Sequence, residues 1–119
     1  MMIFREFRFE AAHFLDKLSR GHKCHNMHGH QYIVRIELSG DLDPTKGWVR
    51  DYDDIAKAWA PLHEQLDHHV LNEVDGLEVS TAENLALWLA HYLRASLPEL
   101  SAVEIRETST AGVRYELRK

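Results

Sequence analysis

The sequence predicts an α+β fold with element order ββααββ, a four-stranded antiparallel sheet carrying two helices on one face. Three observations predict it. Apolar residues alternate with period two near both ends of the chain, and two stretches of helical periodicity lie between them. Residues that form turns separate these stretches, so the strands pair as hairpins at each end. The length of 119 residues suits one domain spanning 1–119.

The first strand covers residues 3–13, where Ile3, Phe7, Phe9, Ala11 and His13 share one parity. A polar loop follows from Asp16 to about Asn26. The second strand runs from about His28 to Ser39, with His28, His30, Tyr32, Val34, Ile36 and Leu38 on one face and Gln31, Arg35 and Glu37 on the other. The turn residues Gly40 to Gly47 lead to a helix with Ile55, Ala58, Trp59, Leu62 and Leu66 at helical spacing and Asp53 as N-cap. Pro61 is expected to kink or split that helix. The second helix opens on Ser80-Thr81-Ala82-Glu83, read as a capping box with Ser80 as the cap. Its stripe is Leu85, Trp88, Leu89, Tyr92 and Leu93, and Pro98 marks its end. Val103, Ile105 and Glu107 alternate in a third strand, and Val113, Tyr115 and Leu117 in a fourth. Four strands leave two open edges, which pairing between subunits would cover, so an oligomer is expected.

Composition narrows the function. Apolar residues are 45% and charged residues 28%, ordinary for a globular chain. A formal charge of -5 argues against nucleic acid, whose phosphates are met by Lys and Arg. No apolar run approaches the ~18 residues that cross a bilayer, and the start lacks the layout of a signal peptide. The single cysteine suits a reducing cytoplasm. The anomaly is nine histidines, of which His22, His25, His28 and His30 crowd around Cys24.

His28-Gly29-His30 sets two imidazoles on one face of a strand, and His13 has the inward parity of its own strand. If the two strands are neighbours, three imidazoles converge. Three neutral nitrogens suit zinc and leave a fourth position for water or substrate. Two other readings stand beside this one. A lone inward histidine is commonly a hydrogen-bonded core residue, and Cys24 plus three histidines would make a closed structural site.

Asp67-His68-His69 follows the first helix, and a carboxylate beside an imidazole fixes its tautomer and stabilises its charged form. Neighbours on a regular helix do not face each other, so the pair needs a helix end or an irregular turn. Otherwise these histidines simply complement the helix dipole. Glu107 shares the parity of Val103 and Ile105. It is either a solvent-facing strand end or a carboxylate receiving two N–H groups from a planar heterocycle.

Phe9-Glu10-Ala11-Ala12-His13, Cys24 followed after three residues by His28-Gly29-His30, Asp67-His68-His69, and Glu107-Thr108-Ser109-Thr110-Ala111-Gly112 occur in the order seen in the 6-pyruvoyl-tetrahydropterin synthases. The chain resembles that family over nearly its whole length. The short gap after Cys24 is similar to the bacterial branch, the 6-carboxy-tetrahydropterin synthases of queuosine biosynthesis. The resemblance implies zinc (Zn2+) on His13, His28 and His30, Cys24 as the catalytic base, Asp67 and His68 as a proton relay in which Glu107 is sometimes counted as a further catalytic residue, and Glu107 with Thr108 at the pterin. It also implies the tunnelling fold, in which trimers close a β-barrel and two trimers stack into a homohexamer with active sites between subunits. The implied reaction is a lyase step converting 7,8-dihydroneopterin triphosphate to 6-carboxy-5,6,7,8-tetrahydropterin, with release of acetaldehyde and triphosphate. A pyruvoyl-forming triphosphate elimination and a non-catalytic zinc-stapled module are the alternatives. Val79-Ser80-Thr81 departs from relatives that carry Pro before the Thr, and His25 lies outside the pattern.

Overall fold

The computed structural model describes residues 1–117. Strand β1 (Met2–His13) pairs with β2 (His28–Ser39), and after helices α1 (Tyr52–Leu66) and α2 (Ala82–Ser96) the chain returns as β3 (Leu100–Arg106) and β4 (Gly112–Glu116). The sheet order is β1-β2-β3-β4, antiparallel throughout. The expected ββααββ order and α+β class are therefore present.

Alternation sets which face each side chain takes. Phe9, Tyr32, Val34, Ile36 and Ile105 are buried against the helices, joined by Ile55, Leu62, Leu85 and Leu89. Each such aliphatic side chain contributes roughly 1.5–3 kcal/mol when taken fully from water. Phe9 stacks on Tyr32 with centroids 4.8 Å apart, as their direct pairing in the register allows. On the opposite face Glu37, although only 3% exposed, is held by Arg114 at 2.7 and 3.1 Å and by Arg35 at 3.2 Å. Those guanidiniums, Arg114 foremost, hold its carboxyl below the usual range.

Three local expectations are corrected. Asp51, not Asp53, caps α1, its side chain accepting from the Asp53 N–H at 2.9 Å. Thr81, not Ser80, caps α2, accepting from the Asn84 N–H at 3.2 Å. Pro61 does not split α1, which runs unbroken from Tyr52 to Leu66. Pro61 and Lys57 are exposed, so the carbonyl left without a donor faces water. Trp59, Leu62 and Leu66 stay buried on the other side.

One edge of the sheet is partly covered. After α1 the segment 67–70 runs beside the end of β1. His68 N–H donates to Glu10 O at 2.6 Å, and Ala12 N–H to His69 O at 3.1 Å, next to a parallel bridge between Ala12 and Val70.

Candidate active site

The register of the first hairpin builds a histidine cluster. His13 is directly opposite His28 and Ala11 opposite His30, so alternation turns all three imidazoles to the helix-bearing face at one sheet end. Ring centroids are 4.5 Å apart for His13 and His28, 4.7 Å for His28 and His30, and 5.1 Å for His13 and His30. One nitrogen from each lies within 4.8 Å of the others.

Hydrogen bonds fix which nitrogen is offered. His13 Nδ1 lies 2.9 Å from Ser80 O, and His28 Nδ1 lies 2.8 Å from Asn26 O. A carbonyl can only accept, so both rings carry their proton on Nδ1 and keep a bare lone pair on Nε2. His13 Nε2 is buried and has no hydrogen-bond partner among the described residues. Leaving such an atom unsatisfied costs about 1–3 kcal/mol, and a cation is the partner that a lone pair among three imidazoles calls for. Burial holds the His13 pKa below the ordinary imidazole value, partly offset by the Ser80 carbonyl and reinforced by His28. The neutral form is the one that ligates. By donor set and by this orphaned atom, the site fits a zinc-like ion.

Cys24 is half-buried in a short turn, Lys23–His25, and does not belong to the ligand group. Its carbonyl accepts from the Leu15 N–H at 2.8 Å, and its N–H donates to His22 Nδ1 at 3.1 Å. This arrangement leaves Cys24 outside the imidazole cluster, against the closed Cys-His₃ reading.

Asp67 and His68 do meet, by the irregular turn the sequence demanded. Asp67 is the C-cap of α1, and His68 takes a left-handed φ of 59°. Its Nδ1 then lies 2.8 Å from Asp67 Oδ2, while Asp67 Oδ1 accepts from the Glu10 N–H at 3.0 Å. Hydrogen bonding to Asp67 raises the His68 pKa above the usual 6.5. Asp67 is held low, first by the Glu10 N–H and then by His68. Among the described residues, no hydrogen bond or ion pair joins this pair to the imidazole cluster.

Glu107 sits one residue past β3, half-buried, with Oε2 3.8 Å from His30 Nε2. With Thr108, Ala82, Glu83 and Val113 it walls a cavity of about 300 Å³. The Thr108 hydroxyl accepts from the N–H groups of Thr110 and Ala111 at 3.3 and 3.1 Å, which shapes the β3–β4 turn. Two supporting residues, Ser80 and Asn72, carried no signal of this role in the sequence. Ser80 serves the site through its carbonyl. Asn72 clamps the chain after His13, exchanging hydrogen bonds with Phe14 N and O at 3.0 and 2.8 Å and reaching Glu78 O at 3.1 Å.

A sequence profile described as 6-pyruvoyl tetrahydropterin synthase matches residues 2–118. The chain is 38% identical over 120 residues to a 6-carboxy-5,6,7,8-tetrahydropterin synthase of Synechocystis sp., covering 96% of this chain and 92% of the relative. It is 33% identical over 130 residues to the 6-pyruvoyl tetrahydrobiopterin synthase of Homo sapiens, covering 94% and 88%. The solved 6-pyruvoyl tetrahydropterin synthase of Caenorhabditis elegans superposes with a TM-score of 0.91 at 31% identity, covering 99% of this chain and 96% of that one.

Proposed function

Because the chain belongs to the 6-pyruvoyl tetrahydropterin synthase family, we propose that it converts 7,8-dihydroneopterin triphosphate to 6-carboxy-5,6,7,8-tetrahydropterin, releasing acetaldehyde and triphosphate, as a step of queuosine biosynthesis. It is an enzyme of the pterin synthase lyase type. The observation that carries the finer reading is the three-imidazole cluster with a bare, buried His13 Nε2 and with Cys24 outside the ligand group. Such a site holds a metal and keeps a thiol free for chemistry.

His13, His28 and His30 would hold zinc, which when bound supplies Lewis acidity toward the substrate's side-chain oxygens. Cys24, as thiolate, takes a proton from the substrate side chain. His68, oriented by Asp67, returns one from its free ring nitrogen. Glu107, on the wall of its cavity, accepts two N–H groups of the pterin ring and fixes its register. Among the described residues no hydrogen bond or ion pair links Asp67–His68 to the histidine cluster of its own protomer, and the reading has a neighbouring copy complete the site. The reading accordingly includes a hexamer of two trimers, with barrels formed by pairing β1 and β4 edges.

Product analysis tests this. Zinc-loaded protein incubated with 7,8-dihydroneopterin triphosphate is expected to yield the carboxy product and acetaldehyde by mass spectrometry. The Cys24→Ala variant is expected to keep its zinc and lose turnover. Triphosphate without acetaldehyde would replace the carboxy reading with the pyruvoyl one, and full activity of Cys24→Ala would remove the thiol from the mechanism.

A further inference from the structure

Glu10 has no part in the chemistry above, yet three contacts tie it to Asp67 and His68. Its N–H donates to Asp67 Oδ1 at 3.0 Å, and its carbonyl accepts from the His68 N–H at 2.6 Å. Its side-chain Oε2 lies 3.8 Å from His68 Nε2, the nitrogen that remains once Asp67 engages Nδ1. Glu10 and His68 also share the wall of a cavity of about 420 Å³ with Ala12, Gly29, His30 and Gln31. Small residues at Ala12 and Gly29 leave that space open.

We propose that Glu10 is a positioning residue for the Asp67–His68 pair, its carboxylate facing the second ring nitrogen so that the imidazole is held from both ends at the cavity wall. The inference deepens the function proposed above and rests on it for the role of His68. The His68 side chain is 74% exposed on its own chain, so the contacts that this chain supplies to orient the ring are the polar ones with Asp67 and Glu10. An exposed ion pair of this length adds little to stability. Its consequence is therefore for the orientation and protonation of the ring. A neutral imidazole has one N–H and an imidazolium has two. Carboxylates at both nitrogens favour the doubly protonated form, which then delivers its Nε2 proton to substrate and keeps its Nδ1–H, donated to the Asp67 carboxylate. Glu10 carries no proton in this scheme. The charged and titratable groups that face the pair are Glu10 on β1 and, from α1, His63, whose Nε2 is 3.7 Å from Asp67 Oδ2.

Glu10→Gln tests it in the full chain, because both backbone hydrogen bonds survive the change. Expected are parental zinc content and melting temperature, about a tenfold fall in kcat with KM within about twofold, and a His68 titration by NMR at lower pH than in the parent. Glu10→Asp should recover part of kcat. A His68 titration or a kcat that coincides with the parental one overturns the proposal. The titration is read without substrate, so it decides the role of Glu10 even if dihydroneopterin triphosphate proves not to be the substrate.

Discussion

His68 occupies a left-handed backbone conformation that a residue with a Cβ seldom adopts, and β1 supplies the contacts that hold it there. The return is a short contact between Asp67 and His68 that two neighbours in a helix could not make. Its sign with pH is set by the direction of the shift. The folded pKa of His68 is raised, so its favourable interaction is complete below the unfolded value near 6.5 and fades as pH rises through the folded value. Asp67→Asn is expected to lower the pH at which His68 titrates by NMR, and an unmoved titration would mean that the two side chains do not pair in solution. At this scale the sequence was legible where alternation speaks. The common facing of His13, His28 and His30 follows from parity, and their meeting from the pairing of β1 with β2. Ser80 was misread, because a capping motif cannot reveal that its residue is buried and lends its carbonyl to a histidine 67 positions away.

The elements were legible in order and number, and their ends less so. Two candidate caps stand close together at the start of each helix, Asp51 and Asp53 at α1, Ser80 and Thr81 at α2. The choice depends on which backbone turns helical first, which packing decides. Asp51 and Thr81 have extended φ and ψ and make the capping hydrogen bonds. Thr81→Ala should therefore destabilise the protein by about 1 kcal/mol, read as a lower midpoint in urea with an unchanged slope. Glu83→Ala, which the capping-box reading would make costly, should have a smaller effect. Equal midpoints for Thr81→Ala and the parent would count against the cap. Pro61 was expected to kink or split α1, and it does not split it, because its unpaired turn faces solvent while the buried stripe continues past it.

Across the molecule, one sheet brings β1 and β2 together so that side chains 15 and 17 residues from His13 in sequence meet it at one end. The adjacent loops then complete the site: Asn26 and Ser80 orient two rings, and Asn72 ties the segment after His13 to the approach to α2. The pairing was legible from the two alternating stretches. The placement of Cys24 outside the ligand group was not, since a loop residue has no parity to read. Function rests on an open three-imidazole metal site, and X-ray absorption on the zinc-loaded protein addresses it most directly. Three nitrogen ligands at about 2.0–2.1 Å and one exchangeable oxygen are expected. A sulfur ligand at about 2.3 Å, or a shell filled by four protein atoms, would contradict it.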